Sequence, residues 1–266
     1  MPFTLSHAAV VLPFARRLNR WRALSAVVIG SMAPDFVLLV PWNAPRVESH
    51  SIHGLFTFCL PVGVLCYWLF EYIIKPAAWQ ILPDAAHERS RPLAVPDPIA
   101  SARQWLIAGL GVFAGAVTHL AWDGFTHEGA RGVRMFPVLD DSVDFGGHSL
   151  YAYHLAQHLS SVLGLAVVLY LVAAAMRAAP EVTSPRRALD RGARRRWMAA
   201  YALAAVVFAA ISFRLTWMAW LRGKAWSLIF EAAVIGGLRG MLFSLLVVSA
   251  LLRARLAGRA ADERRG

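Results

Sequence analysis

Residues 104–122, QWLIAGLGVFAGAVTHLAW, decide the fold class, because they run for nineteen positions without a formal charge. About 20 mostly apolar residues are needed for a helix to cross the hydrocarbon core of a bilayer. Four further runs, at residues 55–74, 159–176, 197–220 and 228–252, meet that length, and 23–40 is a shorter sixth candidate. Residues 3–14 are apolar but long enough only for a half-span or an interfacial helix. The sequence therefore predicts an all-α, polytopic membrane protein with about six transmembrane helices and a short N-terminal half-span. Small residues four apart, Gly111 with Gly115 and Gly236 with Gly240, would let its helices approach closely.

Composition agrees. Of 266 residues 58% are hydrophobic, and the mean hydropathy is +0.51. Soluble domains hold nearer 45–50% apolar and roughly 25% charged residues, against 16% charged in this chain. The net charge of +11 comes from sparse, clustered arginine. That clustering argues against a nucleic-acid partner, which calls for basic residues spread over a soluble surface. Cys59 and Cys66, seven residues apart on one run, lie about 10 Å apart along a helix, too far for a disulfide. The N-terminus lacks the charged region and small-residue site of a removable signal peptide.

Arginine also sets the expected orientation. Twenty Lys and Arg residues flank the spans on one side: those at 16–22, those at 75–103, the group from Arg177 to Arg196, and those after residue 252. Only five, Arg46, Arg131, Arg134, Arg222 and Lys224, fall on the other side. By the positive-inside rule both basic ends are expected to face the cytoplasm, with an outward-facing extreme N-terminus. Residues 83–101, rich in proline, are expected as a flexible loop. Residues 186–196 are expected as a linker against anionic lipid headgroups. The organisation read from this is a site-bearing membrane domain at 1–176, an Arg-rich linker at 177–196, a transmembrane hairpin at 197–252 and a basic tail at 253–266.

Histidine is distributed in the opposite sense. His50, His53, His127, His148 and His154 fall at the arginine-poor side, with His119 and His158 just inside the flanking spans. Burying imidazoles in a membrane protein costs free energy unless they find partners. The sharpest pattern is His119-x3-Asp123-x3-His127. His119 and Asp123 share one helix face, and His127 can swing back past Gly124 as a third ligand. Imidazole plus carboxylate with an open position is how catalytic zinc is held, leaving room for an activated water. Asp35, in Ser31-Met-Ala-Pro-Asp35, is expensive late in a span unless paired or metal-bound. His7 starts on the same outer side if the N-terminal helix descends toward Arg16. His50 and His53, three apart, could share a face with one of them a bystander. For His148, His154 and His158 the plainer interfacial reading comes first, beside a solvated acidic loop of Asp140, Asp141 and Asp144. Within the last two spans, Arg214 and Arg239 read equally as partners of Glu231 and as anchors for an anionic headgroup.

Pro2-Phe-Thr-Leu-Ser-His7, Ala33-Pro-Asp35, Ser49-His50-Ser51 with Gly54-Leu-Phe, His119-x3-Asp123 and Gln157-His-Leu-Ser-Ser-Val-Leu-Gly164 resemble the bacterial membrane family known as domain of unknown function 4184. The order of these groups is also similar to membrane-bound metal-dependent hydrolases and, more distantly, to zinc-dependent phospholipase C. That resemblance implies His7, Asp35, His50, His119, Asp123 and His127 as metal ligands, with Asp35 or Asp123 as general base. The soluble enzymes end on a histidine followed four residues later by glutamate, whereas His154 is followed by His158. The implied site therefore takes one or two Zn2+ ions or another divalent metal, rather than three. The expected function is a membrane-embedded, metal-dependent hydrolase of phosphoester bonds in a lipid or lipid-linked substrate. Arg214, Arg239, His53 and His148 are candidate substrate contacts. The alternative is a non-enzymatic transporter or metal-binding membrane protein.

Overall fold

The computed structural model describes residues 4–39, 46–94, 99–145, 148–179, 189–220 and 226–262. Among these the chain is mostly helical, and four helices are long and apolar enough to cross a membrane: Ile52–Ile81, Ala102–Asp123, Ala152–Ala178 and Ile235–Gly258. The ordered elements divide into two compact units that interleave in sequence. The first holds residues 1–37, 42–67 and 98–178, and the second 38–41, 68–97 and 179–266. The second unit thus takes residues 68–97 from within the stretch read as one site-bearing domain.

In the first unit, residues 23–40 do not form one spanning helix. Helix α1, Leu24–Gly30, is followed by a turn and a 3-10 segment, Ala33–Leu39, while Val40 lies outside the described residues. Pro34 supplies no backbone N–H, and the Ser31 hydroxyl donates to the Val28 carbonyl at 2.8 Å, closing the α-helical ladder there. Helix α2 is the long rod Ile52–Ile81. It widens into π turns at Leu55–Cys59 and Phe70–Ile74. Each π turn contains the residue four before a proline, Thr57 before Pro61 and Tyr72 before Pro76. The wider turn relieves the clash of the ring with that carbonyl without ending the helix.

Helix α3 is Asp84–Ala94, so much of the segment expected as a flexible loop is helical. Pro83 stands just outside it and Asp84 occupies its first turn, where a carboxylate suits the helix dipole. Helix α4, Ala102–Asp123, opens with a capping box between Ser101 and Gln104. It packs against α1 at van der Waals limits. A Cβ on Gly115 would collide with the backbone of Val27 and Ser31, and one on Gly30 with the carbonyl of Val112. Ala33, Leu55, Cys59 and Ala116 form the core beneath this contact.

Past α4 come α5, Arg131–Met135, and a two-stranded antiparallel hairpin, β1 Ser142–Phe145 with β2 His148–Tyr151. The hairpin corrects the all-α expectation locally. Helix α6, Ala152–Ala178, faces outward along most of its length, with Leu159, Val162, Leu163 and Leu169 exposed. Such a surface fits lipid rather than water. Gly164 of α6 lies against Ser6, where an added side chain would meet the serine Cβ at 2.7 Å. The N-terminal 3-10 turn Thr4–His7 is thereby seated on α6.

In the second unit, the end of α2 and α3 fold together around Trp79, whose ring stacks on His87 at 4.0 Å. Helix α7 is Arg191–Trp220 and α8 is Trp226–Asp262. The residues expected as linker at 191–196 are helical, because the Asp190 carboxylate caps the Ala193 N–H at 2.7 Å. Residues 186–188 of that expected linker lie outside the described residues. Helix α8 likewise runs through the start of the expected tail at 253 without a break. Tyr201 meets Ser249 at 2.8 Å, and Gly240 admits Phe208.

Candidate metal centre

Four parts of the first unit bring acids and imidazoles to one point. The N-terminal turn carries His7, the turn after α1 carries Asp35, and the start of α2 follows His50. The last turn of α4 presents His119 and Asp123 on one face. His7, Asp35, His119 and Asp123 are 3%, 2%, 0% and 7% exposed. Burying two carboxylates is costly unless a positive charge or hydrogen bonds offset it.

The geometry is compact. Asp35 Oδ1 lies 3.4 Å from His50 Nε2 and 3.8 Å from His119 Nε2. Asp123 Oδ2 lies 3.5 Å from His50 Nε2 and 3.4 Å from His119 Nε2, and its Oδ1 stands 3.6 Å from His7 Nε2. The His7 ring stacks on His119 at 3.7 Å. These separations exceed the ~2.9 Å of a good N–H···O bond. They match the edges of a coordination shell, since two ligands at about 2.1 Å from one tetrahedral ion stand roughly 3.4 Å apart. His7, His119 and Asp123 make one group able to hold a metal, and Asp35, His50 and His119 a second.

Neighbouring groups aim the ligands. His119 Nδ1 lies 2.8 Å from the Ser31 carbonyl, which can only accept, so Nδ1 carries the proton and the Nε2 lone pair faces the carboxylates. Nε2 of His7 and of His119 are buried and, among the described residues, make no hydrogen bond. His50 Nδ1 and Ser49 Oγ share a hydrogen bond of 2.9 Å. The Thr4 hydroxyl donates to Asp35 Oδ2 at 2.9 Å, leaving Oδ1 turned to the imidazoles. Ser49, Thr4 and the Ser31 carbonyl carry no pattern of their own in the sequence. Only their closeness to His50, His7 and Asp35 in the quoted motifs pointed to them.

His127 sits at the rim. Its Nδ1 lies 3.2 Å from both the Asp123 carbonyl and the Thr126 hydroxyl, and 3.7 Å from Asp123 Oδ1. His127 belongs to neither metal-competent group. His53 is exposed and its Nδ1 lies 3.4 Å from the Thr57 hydroxyl. His154 packs on the rings of Tyr151 and Tyr153, and His158 is exposed. The side chains of His148 and Glu231 lie outside the described residues. Arg214 is exposed and Arg239 donates from Nε to the Leu38 carbonyl at 2.6 Å, both within the second unit.

A cleft of about 920 Å³ opens onto the centre, with His50, Asp123 and His127 in its lining. Its apolar side is made by Val47, Ile52, Leu55, Val117 and Leu120, and its basic side by Arg131 and Arg134. In sequence these two arginines served only to count charge per side.

The family model described as Domain of unknown function (DUF4184) matches residues 1–250. No curated protein and no solved structure matches the chain.

Proposed function

We propose, on the premise that the chain belongs to the DUF4184 family, that it is a membrane-embedded, metal-dependent hydrolase of phosphoester bonds in a lipid or lipid-linked substrate. The observation that carries this reading is the set of Nε2···Oδ distances of 3.4–3.8 Å among half-buried His50 and buried His119, Asp35 and Asp123. Those four residues would hold one divalent ion, with zinc suited to a nitrogen and oxygen donor set. The two metal-competent groups share His119, whose single Nε2 can serve one ion. A second ion would have to rest on His7 and the Oδ1 edge of Asp123.

A metal so held supplies Lewis acidity toward a phosphoryl oxygen and brings the pKa of a water toward about 7. The residues divide the remaining tasks. Asp123 lines the cleft and is the better placed general base, whereas Thr4 holds Asp35 in a purely ligating pose. His127, when both ring nitrogens are protonated, can keep its Nδ1 hydrogen on the Asp123 carbonyl and hand the Nε2 proton toward a leaving oxygen. The finer membrane reading is six spans with both basic ends cytoplasmic and the centre on the opposite side.

Release of phosphate or a phosphorylated headgroup from a phospholipid panel tests this reading. Activity should vanish on chelation and return with Zn2+ or another divalent ion. A protein that carries the metal into proteoliposomes yet hydrolyses nothing in the panel would favour the transport alternative.

A further inference from the structure

The cleft beside the metal centre has two chemically distinct sides, and together they describe a ligand. On one side, α5 is fixed to the end of α4. The Val133 N–H donates to the Gly124 carbonyl at 3.2 Å, and a Cβ on Gly132 would strike that same carbonyl. Gly124 directly follows Asp123, so the position of α5 is tied to the metal centre. Arg131 and Arg134 are three apart on this helix, hence on one face, and both are exposed in the cleft lining. Glu128, also in the lining, offsets one of the two charges and leaves the pair net positive. On the other side, Val117 and Leu120 belong to a helix long and apolar enough to span the bilayer, and Val117 is 40% exposed. Ile52 and Val47, across from them, are exposed as well. The apolar wall is therefore continuous with a lipid-facing helix surface.

We infer that this cleft binds an acyl-chain amphiphile by its phosphate headgroup, with Arg131 and Arg134 gripping the phosphate and the Val117–Leu120 wall receiving the proximal chain. The inference rests on the proposed hydrolase only for what happens to the bound phosphate. A guanidinium pair suits phosphate because each fork donates two parallel hydrogen bonds in a fixed plane. A soluble phosphate would gain nothing from the apolar wall, and an uncharged lipid nothing from the arginines. Arg131 and Arg134 are thus specificity residues that leave the ligation of metal to others.

Equilibrium binding to the full chain in nanodiscs distinguishes these cases, with dioctanoyl phosphatidic acid, glycerol 3-phosphate and dioctanoylglycerol as probes. Dioctanoyl phosphatidic acid should bind at least about tenfold tighter than either of the others. Arg131→Gln with Arg134→Gln should weaken it by about ten- to a hundredfold, the range expected for lost charge-assisted bonds. Glu128→Gln should tighten it, which keeps the idea exposed to failure even if the double variant folds poorly. Equal binding by wild type and the arginine variants would overturn the inference, as would equal binding of glycerol 3-phosphate and its lipid counterpart. Metal content read on the same samples should not change with the arginines. Metal-free wild type that still binds the lipid phosphate through its arginines would sink the hydrolase reading alone.

Discussion

The two units treat buried polar groups in opposite ways. In the second unit, direct short bonds hold several of them. Glu71, fully buried within α2, places Oε2 2.7 Å from Lys75 Nζ, one helical turn on. His87 places Nδ1 2.9 Å from the Trp79 carbonyl, and Tyr201 meets Ser249 at 2.8 Å. In the first unit, His7, Asp35, His50, His119 and Asp123 face one another at 3.4–3.8 Å. Short bonds indicate groups satisfied by the fold itself. The wider spacing, held in place by Thr4, Ser49 and the Ser31 carbonyl, is the spacing that the proposed metal would require. A buried histidine alone does not mark a site, as His87 demonstrates.

This contrast can be broken most sharply by Asp123→Ala. It should abolish stoichiometric metal while leaving the second unit intact, read by elemental analysis alongside limited proteolysis. Retained metal would show that the first unit is no different in kind from the second. Lys75→Ala is the mirror experiment. Stripping the counter-ion from buried Glu71 should lower stability by about 3–5 kcal/mol, seen in detergent-titrated unfolding, with metal content unchanged. Next in size, Thr4→Val should weaken metal binding by about ten- to a hundredfold, as the loss of a ligand-orienting partner does. A competition titration against a chromophoric chelator would measure it, and an unchanged affinity would remove Thr4 from the site. Smallest of all, His127→Phe should change metal affinity by less than about threefold, because His127 belongs to neither group of residues able to hold a metal. Its cost should appear in turnover instead, as a lower kcat at unchanged metal loading.

Local features were the legible ones. Apolar runs announced the membrane, and His119 with Asp123 was readable because four residues bring side chains to one helix face. Asp35, His7 and His50 entered through order and resemblance, and the structure draws them to the same point. Other features depend on contacts distant in sequence, or on how prolines act in context. Thr4 reaches Asp35 only because Gly164 seats the N-terminal turn on α6. Pro61 and Pro76 widen α2 into π turns where Pro34 follows the break after α1, a difference that residue type alone does not encode. The helix at Asp84–Ala94 was obscured by proline content, although Pro83 marks its start. Arg131 and Arg134 looked like orientation charges because nothing in the sequence says that α5 folds back onto Gly124. Arg239, read as an ion-pair partner or headgroup anchor, also donates from Nε to the Leu38 carbonyl, a contact between residues far apart in sequence.

The central claim is that the buried histidines and aspartates of the first unit hold a metal. Its most direct test is the metal content of the full chain purified without chelator, compared with His119→Ala combined with Asp123→Ala. The account predicts about one divalent ion per wild-type chain and none in the double variant. Metal-free wild-type protein, or equal metal in both, would contradict it.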